Sequence, residues 1–422
     1  MIDYWNLDSG AKLVVEEIPY VRSVAIGVYI KVGSRHEAEP LSGASHFIEH
    51  MLFKGTDKRS AREIAESFEG IGGQINAFTA KEHTCVYART LDEHLDTALD
   101  IIFDMVFNSR FAVKDFETEK GVIAEEINMY EDTPDDLVHD VFSQHLWQGH
   151  TMGRPILGTL ESVSGFERDA IYNYYRNTYR PSNMIIAVAG NVDAGGLKGK
   201  VEGYLDRESR GMVELPYHQV TSYTPFIKLV EKDTEQVQIC LGVPGISYWD
   251  KRRYTQNIMN SILGGGVSSR LFQAIREELG LAYSVYSYPS NYSDTGAYVI
   301  HIGTGPGKIP QFFEVLKGEL DVFLKQGVNR EEVLRTRQLI KSSMLMGMES
   351  VMNRMNRLGK SILMYDEVIP VDQVLTEINA VDAEKVNGFV DEVLEFPRFS
   401  LAAIGSAGVL PVVEQEYRKW WK

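Results

Sequence analysis

Basic residues are in short supply. Lys and Arg number 43 against 59 Asp and Glu in 422 residues, a net charge of −16 with His neutral. Such a chain repels phosphate backbones and anionic lipid surfaces, so neither nucleic acid nor membrane is an expected partner. Cationic or neutral substrates are steered toward it instead. No apolar run approaches the roughly 18 residues a membrane helix needs. Residues 1–8 hold two acids and no basic segment, and read as neither a secretory signal nor an Arg-rich transit peptide. Cysteine is nearly absent. Cys85 and Cys240 each sit in a strand-like apolar run and read as free buried thiols. Low-complexity tracts are missing. The expected setting is soluble, reducing and cytoplasmic.

What is present divides in two. A chain of 422 residues implies about two or three domains. Residues 206–225 are polar and rich in breakers, as a linker near the midpoint would be. The stretches on either side rhyme. Each opens with a β-rich run, SVAIGVYIKV at 23–32 and QVQICLGV at 236–243. Each goes on to a helical stretch, a pair of strands (75–89 and 282–302), an amphipathic helix (95–107 and 310–325) and a glutamate-led helix (116–131 and 330–349). Each closes on a similar strand, within 180–190 and 397–405. The expectation is an α+β fold of two homologous units, residues 1–212 and 226–422, joined by 213–225. Each is an antiparallel or mixed sheet covered by helices on one face, and the two face each other as a clam-shell.

Chemistry concentrates in residues 42–55, SGASHFIEHMLFKG. Ser42 is placed to cap a helix, and Gly55 follows a basic last turn. On that helix His46 and His50 are four apart and share a face, so both imidazoles reach one ion. Glu49 borders the same face and is placed to hold a water without being a ligand. This is H-x-x-E-H, the inverse of the H-E-x-x-H order. With ten His in 422 residues, chance produces the spacing only ~0.02 times per chain. Catalytic zinc wants a third protein ligand and one open position. Helix 116–131 offers an inward stripe of Glu119, Val122, Ile123, Glu126, Met129 and Tyr130. A buried carboxylate is costly unless paired or metal-bound. Glu126 is therefore the expected ligand and Glu119 a carboxylate behind it, although on the stripe alone Glu125 competes with Glu126.

These residues resemble a known family. Residues 43–55 are similar to the zinc helix of the pitrilysin/insulinase peptidases, the inverted zincins. The length and two-unit layout most resemble the mitochondrial processing peptidase branch and its bacterial relatives. In that family the third ligand is a glutamate some 75 residues past the motif, and the segment EKGVIAEE at 119–126 matches it, which places the ligand at Glu126. The resemblance puts a further glutamate at Glu119. It also singles out Arg276 and Tyr283, which would reach the zinc site from the second unit and hold the substrate. Residues 72–79, with Asn76, Ala77 and Phe78, resemble the family's edge strand, to which an extended peptide adds. The second half has no His in residues 254–264, so one Zn²⁺ per chain follows. The implied activity is zinc-dependent hydrolysis of extended or unfolded peptides. Glu49 would be the base, Tyr283 a donor to the oxyanion and Glu119 a ligand-orienting group. Both motifs coexist in this chain, which implies a self-sufficient homodimer. The alternative is a catalytically silent peptide-binding or scaffold subunit, a role that usually goes with loss of the metal motif.

Overall fold

The computed structural model describes residues 1–206, 208, 211–220 and 223–421. Arg207, Ser209 and Arg210 of the expected linker, with Thr221 and Ser222, lie outside the described residues.

The first sheet holds β1 (Ile2–Asn6), β2 (Lys12–Glu17), β3 (Ser23–Ile30), β4 (Gln74–Thr79), β5 (Thr84–Leu91) and β6 (Met184–Gly190), in the spatial order β1-β2-β6-β3-β5-β4. The second holds β7 (Ile227–Glu231), β8 (Val237–Pro244), β9 (Ala282–Asn291), β10 (Gly296–Thr304) and β11 (Ser400–Gly405), ordered β7-β11-β8-β10-β9. Leaving out β1, the two orders correspond strand for strand. In each sheet one pair is parallel, β2 with β6 and β7 with β11, and the other pairs are antiparallel. The chain is thus a repeated α+β unit, as the rhyme between its halves implies.

Each sheet buries one face under a main helical layer. In the first unit this layer includes α1 (Ala44–Leu52), α2 (Leu95–Asn108) and α3 (Val113–Glu131). Val24, Ile26, Val28 and Ile30 of β3 meet Phe47, Ile48, Leu99, Ile102 and Ile123 there. The opposite face is covered too, which departs from the one-face expectation. Ala25 and Tyr29 of β3, with Cys85, Ile185 and Ala187, pack against Val351, Met355, Leu358 and Ile362. β3 is buried on both faces, which is why its sequence runs apolar without alternation.

The helix over that second face comes from far along the chain. With α4 as Pro134–Leu146, α5 as Arg253–Leu263, α6 as Ile309–Gln326 and α7 as Val351–Tyr365, it is α7. One compact unit comprises residues 1–129, 154–218 and 345–368. The other comprises residues 130–153, 219–344 and 369–422. A division at 213–225 does not capture this interleaving. The physical cause is apolar coverage: α7 shields the first sheet, while α4 shields the second through Val138, Val141 and Phe142 against Cys240, Val299 and Ala402. The two helices occupy equivalent places in the repeat, each following the glutamate-led helix of its own half. Among the described residues no helix is long and apolar enough to cross a membrane.

Candidate metal centre

Helix α1 starts at a glycine. Gly43 has φ +93°, a left-handed conformation that strains any residue with a side chain, and a Cβ there would lie 2.6 Å from the Leu157 carbonyl oxygen. No side-chain cap bond forms at this end, so Ser42 does not act as the cap. The orphan N–H groups are met by a buried carboxylate instead. Glu37 accepts from the N–H of Gly43 and of Ser45, each at 2.7 Å. Burial lifts its carboxyl to about 7 against the pull of those bonds. Phe47, Ile48, Met51 and Leu52 fix the buried side of the helix in the core. That leaves one face for His46, Glu49 and His50.

Helix α3 brings the carboxylates. Its buried residues are Phe116, Glu119, Ile123 and Ile127. Val122 and Met129, expected on the inward stripe, are exposed. The helix is therefore turned slightly from that reading, with Glu126 at the rim of the buried stripe and Glu125 exposed to solvent. This orientation separates the two competing glutamates. Glu126 Oε1 lies 3.7 Å from His46 Nε2, and its Oε2 lies 3.5 Å from His50 Nε2. The three residues have ligand atoms all within 4.8 Å of one another, the one such group among the described residues. A tetrahedral ion with bonds of ~2.0–2.2 Å holds its ligand atoms about 3.4 Å apart, close to the separations between the Glu126 carboxylate oxygens and the two ring nitrogens, so the group fits a zinc-sized cation.

The surroundings prepare these groups. Burial, and then the neighbouring His50, push the His46 imidazole down to about 3, so near neutral pH it is uncharged, the form that binds a metal. His50 Nδ1 lies 2.8 Å from Glu119 Oε1. That bond to a carboxylate fixes the ring and leaves Nε2 to face the ion. Lys54 Nζ pairs with the other oxygen of Glu119 at 2.7 Å. Burial works to raise the Glu119 carboxyl, but the bonds from His50 and Lys54 outweigh it and hold it below the usual range. Glu49 stands outside the ligand set. Burial raises its carboxyl, while a 2.6 Å hydrogen bond from the Thr79 hydroxyl to Oε2 works the other way.

The substrate residues expected from the family resemblance occupy two places. Asn76, Ala77 and Phe78 lie on β4, which is the free edge of the first sheet. The Ala77 N–H donates to the Asn76 side-chain oxygen at 2.8 Å. Arg276 and Tyr283 belong to the second unit. Arg276 lies on a π-helical turn, Phe272–Glu278, and its guanidinium sits 4.9 Å from the Phe272 ring and 5.6 Å from the Tyr283 ring. Tyr283 is the second residue of β9, the edge strand of that sheet, and is 75% exposed. Helix α5 stands where α1 stands in the repeat and carries no His. Three contributors were missed from sequence: Glu37, Lys54 and Thr79. Lys54 follows His50 by four, a visible signal. Thr79 closes a strand already singled out. Nothing local marks Glu37.

Comparison with known proteins gives the family. Residues 12–160 match the family model described as Insulinase (Peptidase family M16), and residues 165–340 match the one described as Peptidase M16 inactive domain. An uncharacterized zinc protease of Bacillus subtilis is 42% identical over 97% of this chain and 100% of its own length. Another from Streptomyces coelicolor is 39% identical over 95% and 88%. In fold, the chain is similar to a crystal structure of a peptidase M16 inactive domain from Pseudomonas fluorescens, with TM-score 0.88 at 19% identity over 96% of this chain and 98% of that one. A protease from Helicobacter pylori matches with TM-score 0.85 at 19% identity, over 96% and 99%. With two family models spanning most of its length and relatives near 40% identity, the chain belongs to the M16 (insulinase) family of peptidases.

Proposed function

We propose that the protein is a zinc endopeptidase that cuts extended or unfolded polypeptide. The observation that carries this reading is the convergence of His46, His50 and Glu126 with Glu49 beside them but outside the ligand set. Zinc, when bound, supplies an acidified water with a pKa near ~7 and a positive charge to polarise a scissile carbonyl. His46 and His50 enter as neutral rings, with His50 oriented by Glu119. Glu49 takes one proton from the water and hands it to the leaving amine nitrogen, so a peptide and a water become an acid and an amine. A peptide adds to the open edge of β4 beside Asn76–Phe78, which requires an extended chain. Arg276 and Tyr283, of the second unit, hold it. Tyr283 donates to the developing oxyanion. The relatives named zinc proteases support this reading.

Elemental analysis should find about one zinc per chain. Glu49→Gln should keep that zinc and lose turnover by roughly 10²–10⁴. Glu126→Gln should lose the zinc, while Glu125→Gln keeps it. Tyr283→Phe should lower turnover ~10²–10³-fold with zinc retained. The assay is cleavage of an unstructured peptide library, with and without chelator. A Glu49→Gln protein as active as wild type would sink the mechanism.

A further inference from the structure

Thr79 is the last residue of β4, the strand whose residues 76–78 are proposed to pair with substrate. Its hydroxyl oxygen lies 2.6 Å from Glu49 Oε2 and 3.5 Å from the Ser45 carbonyl oxygen. A hydroxyl has one proton, and the shorter, charge-assisted contact takes it. The donor stands on a fixed mount. Thr79 pairs with Thr84 across to β5, and the Ala80 N–H donates to the His83 carbonyl at 2.8 Å, closing the turn. The turn is tied in turn to residues 32–35. The Thr84 hydroxyl donates to the Val32 carbonyl at 2.9 Å, and the Arg35 N–H donates to the Lys81 carbonyl at 2.8 Å. Gly33 approaches so closely that a Cβ would lie 2.2 Å from the Ala80 oxygen. Glu49, in contrast, has a flexible side chain, and Thr79 donates to only one of its oxygens.

We propose that Thr79 is a positioning residue for peptide hydrolysis: its hydroxyl holds Glu49 Oε2 and so assigns Oε1 to the proton transfer. Because the hydroxyl stands on the same strand as Asn76–Phe78, it also sets the base at a fixed distance from a peptide paired along β4. Substrate pairing and base alignment thus share one rigid strand. This inference rests on the peptidase reading above and adds a residue to it.

The test compares Thr79→Val, which keeps the shape and removes the donor, with Thr79→Ser, which keeps the donor. A fluorogenic unstructured peptide serves as substrate, and Glu49→Gln is run in parallel. Loss of one hydrogen bond to a charged group should lower the Thr79→Val kcat roughly 10- to 100-fold, with KM within about threefold and zinc content unchanged. Thr79→Ser should recover most of the rate. A crystal structure of the zinc-free Thr79→Val protein should show the Glu49 carboxylate turned from its present orientation. Wild-type kcat in Thr79→Val while Glu49→Gln is inactive overturns this inference and leaves the peptidase reading intact. Activity in Glu49→Gln overturns the peptidase reading itself. Zinc loss in Thr79→Val, or no recovery in Thr79→Ser, assigns Thr79 a merely structural part and also overturns the inference. If Thr79→Val does not fold, Thr79→Ala is read by the same criteria.

Discussion

His301 shows what burial does to a single side chain. It is 2% exposed on β10, beside the ring of His139 at 4.8 Å, and neither ring nitrogen has a hydrogen-bond partner among the described residues. Burial, then His139, push it down to about 3. An unfolded imidazole takes its proton below about 6.5. Between those values the unfolded chain binds more protons, so stability present above 6.5 is lost as pH falls. At pH 5 the loss from this one group is on the order of 2 kcal/mol. His301→Met should therefore unfold close to the wild-type temperature at pH 7 and above it at pH 5. A gap that does not widen as pH falls would refute the account. His46, Glu49 and His50 were legible from spacing because a helix fixes which residues share a face. Glu126 was separable from Glu125 only through the family resemblance, since one residue is a 100° rotation and the apolar stripe is broad. Glu37 was invisible, because a carboxylate that caps a helix from six residues upstream depends on how the intervening loop folds.

At the level of elements, contact between α7 and the first sheet depends on two glycines. A Cβ on Gly359 would lie 2.1 Å from the Tyr29 ring, and one on Gly27 would lie 2.4 Å from Met355 Sδ. Tyr29 has no room to yield, being fully buried with its hydroxyl donating to Asn356 Oδ1 at 2.8 Å. Gly359→Ala should destabilise the protein by about 1–3 kcal/mol despite the better helix propensity of Ala. Gly121 on α3 has nothing within 4 Å of a built Cβ, so Gly121→Ala should stabilise by about 0.5–1 kcal/mol. Thermal unfolding of the two variants should shift in opposite directions. The inner strands and the helices at 95–107, 116–131, 310–325 and 330–349 were readable in the sequence, whereas β1, β2, β7, α4 and α7 were not read there. The second covered face was not drawn from it, although the apolar run of β3, and that of β8 interrupted only by Gln238, carry that signal.

The whole molecule is a repeat in which each half of the chain lends one helix to the other's unit. A chain of residues 1–212 keeps His46, Glu49, His50, Glu119 and Glu126 but lacks α7. It leaves Ala25, Tyr29, Cys85, Ile185 and Ala187 bare on one sheet face. It also loses the ion pair between Glu16 and Arg354. Such a fragment should aggregate and hold little zinc, and supplying residues 345–368 should recover solubility and metal together. Zinc binding by 1–212 alone, equal to the full protein, would argue against this. A simple split into halves was the natural reading of a repeat with a polar stretch at its middle. The exchange of α4 and α7 depends on the direction in which the chain leaves each preceding helix, and local sequence does not encode that direction. Protease nicking within 211–220 should accordingly release nothing. Each piece holds a helix that covers a sheet of the other, so the nicked protein should migrate as one body on a native gel and as two bands only in detergent.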